Sequence, residues 1–120
     1  MTNKKMGGIH EMRLSPSPFE MIKSGRKTVE LRLFDEKRQM LRVGDEIVFK
    51  NTETAETLRT VIVGLHRFDS FEALYGSMPL LKCGYTAEDV RFASPSDMEK
   101  YYSAEEQKRY GVVGIELSLC

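Results

Sequence analysis

The chain has 120 residues, 41% of them apolar and 30% charged, with 18 basic and 18 acidic side chains. That is the length and balance of one globular domain, and the zero net charge excludes a uniformly basic coat for nucleic acid, so any anion site must be local. Cys83 and Cys120 cannot make a disulfide framework, and no apolar run approaches the roughly 20 residues of a membrane span, which points to a reduced, cytoplasmic single domain.

Residues 1–8 read as a flexible lead-in and residues 9–120 as the domain. Ile9–Leu14 alternates, with His10, Met12 and Leu14 on one face, and predicts a short strand. Ser17-Pro18-Phe19-Glu20 has the spacing of a capping box and predicts a helix of about two turns, ended at Gly25. Lys27–Phe34 returns to period two: Val29, Leu31 and Leu33 point one way, Thr28, Glu30 and Arg32 the other. A charged connection, Asp35–Arg38, leads to a strand over Glu46–Lys50. A longer strand follows over Leu58–Phe68, with Val61, Val63 and Leu65 on one face, Ile62 on the other and Gly64 at a bulge.

The next forty residues change character. Short helices are predicted from Asp69 to Gly76, from Ser77 to Gly84 and from Thr86 to Phe92, and Ser96–Glu99 and Ser103–Glu106 both have capping-box spacing. Gly111–Leu119 closes as a strand with Val113, Ile115, Leu117 and Leu119 on one face. Short connections between the middle strands favour antiparallel pairing. The fold class is α+β: a small, partly closed mixed β-barrel with a short helix after strand 1 and a helical insertion before the last strand.

Charge is concentrated from Lys23 to Arg42, where Lys23, Arg26, Lys27, Arg32, Lys37, Arg38 and Arg42 outnumber Glu30, Asp35 and Glu36. Such a patch contacts phosphate or is a solvated surface with ordinary ion pairs. Glu30, between basic groups, has its ionised form favoured; it orients a ligand, takes a proton, or pairs with Arg32 or a neighbouring strand. Lys27 suits phosphate or a developing negative charge. His10 and His66 are the two histidines, and with two cysteines they lack the spacing of a zinc site, so no metal and no cofactor are expected. Gly7-Gly8 lacks the context of a phosphate loop, and Ser103 reads as a helix cap. Tyr101, Tyr102 and Tyr110 either stack on a base or pack a small helix onto the barrel.

The run Gly25-Arg26-Lys27-Thr28-Val29-Glu30-Leu31-Arg32 after a short helix, then Val43-Gly44-Asp45-Glu46-Ile47-Val48-Phe49 and Tyr110-Gly111-Val112-Val113-Gly114-Ile115, resembles the ASCH domain family. The resemblance runs from Ile9 onward. It implies a PUA-like barrel whose cleft, between barrel and first helix, is faced by Lys27, Glu30 and Arg32. It implies an RNA-related role: binding of RNA or a nucleoside- or nucleotide-like molecule, with Arg26, Lys27 and Arg32 on phosphate, Thr28 and Glu30 on polar edges, and Tyr101 and Tyr102 as a wall. A few small bacterial ASCH proteins are amidohydrolases on N4-acetylcytidine, using a lysine, a threonine nucleophile and a glutamate. Their threonine falls where this chain has Glu30, with Thr28 two residues earlier. Other members are reported to cleave RNA. A hydrolase with Lys27, Glu30 and Thr28 as catalytic residues is therefore the second reading, and a protein-interaction module the third.

Overall fold

The computed structural model describes residues 8–120, so the expected lead-in lies outside the described residues except for Gly8. The alternating segments become β1 (Ile9–Leu14), β2 (Val29–Leu33), β3 (Glu46–Asn51), β4 (Thr57–Phe68) and β5 (Val112–Leu119). They form one sheet in the order β1-β3-β4-β5-β2, with β1 and β3 parallel and the other pairs antiparallel. The expected pairing of sequential middle strands holds for β3 with β4 but not for β2 with β3. β2 joins β5 instead, because its Val29, Leu31 and Leu33 pack with Val112 beneath the helical insertion.

β1 and β2 are thus the two ends of a curved half-barrel. Side chains bridge the seam in place of a backbone ladder: Arg32 Nη2 donates to the Arg13 carbonyl at 2.9 Å and Lys37 Nζ to the Glu11 carbonyl at 2.8 Å. One core fills the half-barrel with Met12, Phe19, Ile22, Ile47, Phe49, Ile62, Val113 and Ile115. The second lies on the other side of β2, where Phe71, Leu74, Cys83 and Met98 cover its apolar row.

Helix α1 (Pro16–Lys23) starts earlier than the Ser17 capping box predicts. Ser15 is its N-cap: the ring of Pro16 sets the first helical φ, and Pro18 at the third helical position has no amide hydrogen for the Ser15 side chain to accept. Gly25 takes the left-handed conformation expected of a helix stop, φ 84°. In β4 the register shifts between Ile62 and Gly64. The bulge inverts the side-chain phase, so Leu58, Thr60 and Ile62 face inward before it and Leu65 after it. The expected common face of Val61, Val63 and Leu65 is therefore split, and Val63 is exposed.

The insertion contains α2 (Phe71–Ser77) and α3 (Ala104–Tyr110). The other expected helices are 3₁₀ turns at Leu80–Cys83, Val90–Phe92 and Pro95–Lys100. The capping box expected at Ser96 forms at Ser94–Asp97, again beside a proline at the first turn. The Ser103–Glu106 box forms as expected. On β5, Val113, Ile115 and Leu117 are buried, whereas Leu119, still paired with Thr60 of β4, is 46% exposed.

Candidate functional site

β2 is an edge strand, so one flank faces the open seam. In its register with β5, Glu30 lies opposite Ile115 and Arg32 opposite Val113. Cross-strand partners share a face, so this ion-bearing row lies on the half-barrel side while Leu31 and Leu33 serve the second core. Lys27 enters from the turn after α1, where its amide donates to the Met21 carbonyl at 3.0 Å.

The three side chains form a buried chain of charge. Lys27 and Glu30 are only 9% and 4% exposed. Lys27 Nζ is 2.9 Å from Glu30 Oε1, and Arg32 Nε donates to Glu30 Oε2 at 2.6 Å. Burial by itself would raise the Glu30 pKa, but the charges of Lys27 and Arg32, and the hydrogen bonds they donate, hold it below its ordinary value. Arg32 is the mirror case: burial opposes its charge, and Glu30 more than compensates. Gly84 closes the 3₁₀ turn at φ 116°, with the Lys27 stem against it; a Cβ there would lie 3.4 Å from Lys27 Cδ. The glycine takes a left-handed conformation and leaves room for the lysine stem to pass against its backbone.

This triad is the floor of a cleft of about 450 Å³, a volume within the ordinary range for small-molecule sites. Ser15, Ser17, Pro18 and Met21 of the α1 region form one side. The insertion forms the other with Tyr75, Tyr85, Asp97, Lys100, Tyr101 and Tyr102, while Arg13 and Cys83 also line it. Tyr102 is stacked on Phe71 with centroids 6.1 Å apart, so it is a packed wall. Tyr101 is 64% exposed, with Lys100 Nζ 5.3 Å from its ring centre. Tyr102 thus packs the insertion, one of the two roles expected of the tyrosines, and Tyr101 leaves its ring open to solvent. Burial pushes the Cys83 thiol up to about 11, Lys27 opposing and Glu30 adding to the shift.

Of the candidate residues, Lys27, Glu30, Arg32, Tyr101 and Tyr102 line this one cleft. Arg26 does not line the cleft; it is exposed, and its Nε donates to Ser24 Oγ at 3.3 Å. Thr28 is outside the lining too, its amide bonded to the Lys82 carbonyl and its carbonyl to the Leu117 amide. Both histidines are paired with carboxylates outside the cleft lining: His10 bonds Asp45 at 2.7 Å and His66 bonds Glu116 at 2.9 Å. Tyr75, Tyr85 and Asp97 were not among the expected site residues, since three separate segments of the insertion supply them; the Ser94–Asp97 capping spacing is the one local signal they carry. Among the described residues no helix is long and apolar enough to cross a membrane, and no cluster of three His, Cys, Asp or Glu residues could hold a metal.

The family model described as ASCH domain matches residues 12–120. The crystal structure of the hypothetical protein PH0355 is similar at 31% identity and TM-score 0.75, over 93% of this chain and 99% of that one. The solution structure of protein PF0455 from Pyrococcus furiosus is similar at 28% identity and TM-score 0.68, over 92% and 96% of the two chains. A mutant ASCH protein from Zymomonas mobilis shares the fold at 14% identity and TM-score 0.63, over 90% of this chain and 66% of that one. No curated protein matches the chain.

Proposed function

The chain belongs to the ASCH domain family, and on that premise we propose that its cleft binds RNA or a nucleotide-like ligand. The observation that carries this reading is the buried carboxylate of Glu30 fixed between Lys27 and Arg32 on the cleft floor. Glu30 uses one donor of the Lys27 ammonium and Nε of Arg32, and Arg32 Nη2 is taken by Arg13. An ammonium has three donors and a guanidinium five. Donors therefore remain for a phosphate or carbonyl, already held in position, which lowers the ordering cost of binding. The exposed ring of Tyr101 suits a base, and Arg13 and Lys100 suit the backbone of a short single strand. Four cations against three carboxylates in the lining suit a small ligand better than a long duplex.

The hydrolase reading on the same residues has less support. A general base must take a proton, and Glu30 is held in its weakly basic, ionised form with a cation bonded to each oxygen.

The test is a mobility titration of short single-stranded RNA, and of nucleoside monophosphates by calorimetry, with wild type, Lys27→Ala and Glu30→Ala at two salt concentrations. The reading expects intact RNA and binding that weakens with salt and falls at least roughly tenfold in Lys27→Ala. No binding by folded wild type overturns it. A shortened RNA that both substitutions abolish replaces it with a nuclease.

A further inference from the structure

The insertion side of the cleft carries a second polar cluster whose hydrogen-bonding character is the opposite of the floor. Tyr85 Oη donates to Asp97 Oδ2 at 2.6 Å, and the hydroxyl oxygens of Tyr75 and Tyr85 are 2.7 Å apart. All three residues line the cleft. The direction of donation along this chain follows from its end. An ionised carboxylate only accepts, and Asp97 is held in that form by the Tyr85 hydroxyl and the Ser94 amide, which keep its pKa below the ordinary value. Tyr85 therefore directs its single proton at Asp97. The bond between the tyrosines must then run from Tyr75 to Tyr85, which uses the single proton of Tyr75 as well. What Tyr75 still offers is a lone pair. On Asp97, both observed bonds fall on Oδ2, which leaves the second carboxylate oxygen as another acceptor.

We propose that Tyr75, Tyr85 and Asp97 form an acceptor-only subsite that recognises an N–H donor on a nucleobase edge, in the first place the exocyclic amine of adenine or cytosine. Lys27 and Arg32, donors only, hold the phosphate or carbonyl of the same ligand. The cleft is polarised in this way, donors on the floor and acceptors on the insertion wall. A ligand that turned a carbonyl toward the wall would set acceptor against acceptor and leave both without a proton. This subsite rests on the nucleotide-binding reading above and adds to it the class of base.

The experiment compares ligands that differ by that amine alone. Wild-type protein is titrated calorimetrically with adenosine monophosphate against purine riboside monophosphate, and with cytidine monophosphate against the pyrimidinone riboside monophosphate that lacks the amine. The amine-bearing member of at least one pair binds roughly three- to tenfold more tightly, the scale of one net hydrogen bond. Tyr75→Phe brings that ratio close to one. Asp97→Asn, whose amide can donate to Tyr85 as well as accept from it, lets the chain of donation run either way and narrows the ratio. Lys27→Ala weakens both members equally. A brace with no recognition role would lower melting temperature without moving any ratio, so circular dichroism melts accompany each titration. Equal affinity within both pairs overturns the subsite alone. Silence from all four ligands overturns the nucleotide reading and the subsite with it.

Discussion

Two carboxylates are almost equally buried, Glu30 at 4% and Asp45 at 5% exposure, yet they are satisfied in different ways. Asp45 accepts the Gly8 amide at 2.9 Å, the Arg42 amide at 3.1 Å and His10 Nε2 at 2.7 Å. Two of those donors are backbone. Together they pin the turn before β3 to the start of β1, away from the cleft lining. Glu30 accepts from Lys27 and Arg32 side chains alone, and both of these line the cleft. Asp45 holds two main-chain amides and a histidine that lies outside the cleft lining, so what it fixes is a turn. A carboxylate tied to two cationic side chains instead sets where those cations sit. Burial is the same in both cases, and the nature of the donors separates scaffold from site.

The largest effect that would sharpen this contrast is Glu30→Ala. It leaves two cations without their buried partner and costs about 3–5 kcal/mol in a denaturant titration, with loss of ligand binding. If stability stays within about 1 kcal/mol of wild type, the charge chain is not the buried unit described here. Next is Asp45→Ala, which removes three hydrogen bonds and costs about 1–3 kcal/mol, with ligand affinity unchanged. An altered affinity in that variant would break the division between scaffold and site.

Acid titration comes third. Both carboxylates have folded pKa values below their ordinary ones, 4.5 for Glu30 and 3.8 for Asp45. For Asp45, burial opposes this shift, and the His10 bond with the two amides outweighs it. The unfolded chain therefore binds more protons than the folded chain in acid. The stability that these groups contribute is whole above their ordinary values and is lost as pH falls through the folded ones. Melting temperature drops on that limb, and Glu30→Gln and Asp45→Asn each flatten it. Melts whose acid limb is the same in wild type and both variants would refute the assignment. The smallest effect is chemical. A thiol reagent near neutral pH labels the exposed Cys120 in the native protein and reaches Cys83, with its thiol at about 11, only after unfolding. Rapid double labelling of native protein would show that the cleft wall opens.

The strands were legible because alternation survives any sheet order: β1, β2, β3 and β5 lie where the period-two segments put them. Which strands pair was not legible. Whether Leu31 packs toward β3 or beneath an insertion forty residues downstream depends on tertiary packing that leaves no local mark. The bulge at Gly64 was legible as a position, but its inversion of phase on Ile62 and Leu65 was not, since apolar residues stand on both faces of β4. In the site, Glu30 and Arg32 could be found from strand spacing and Lys27 from its place beside them. Tyr75, Tyr85 and Asp97 could not, because they stand in the short helix α2, after one 3₁₀ turn and within another, and only the folded insertion brings the three hydroxyl and carboxylate groups within hydrogen-bonding reach.

The sheet order has a consequence for how the protein is made. Among the described residues the sole sheet partner of β2 is β5, and their pairing joins Val29 to Glu116. On a ribosome the β3–β4 hairpin can close early, since its partners are near in the chain. β2 must wait, long since synthesised, until residues 112–119 emerge. Before then Glu30 and Arg32 lack the Ile115 and Val113 neighbours that bury them. A nascent or prematurely ended chain therefore has no formed cleft and, on the proposed reading, does not compete with finished molecules for the ligand.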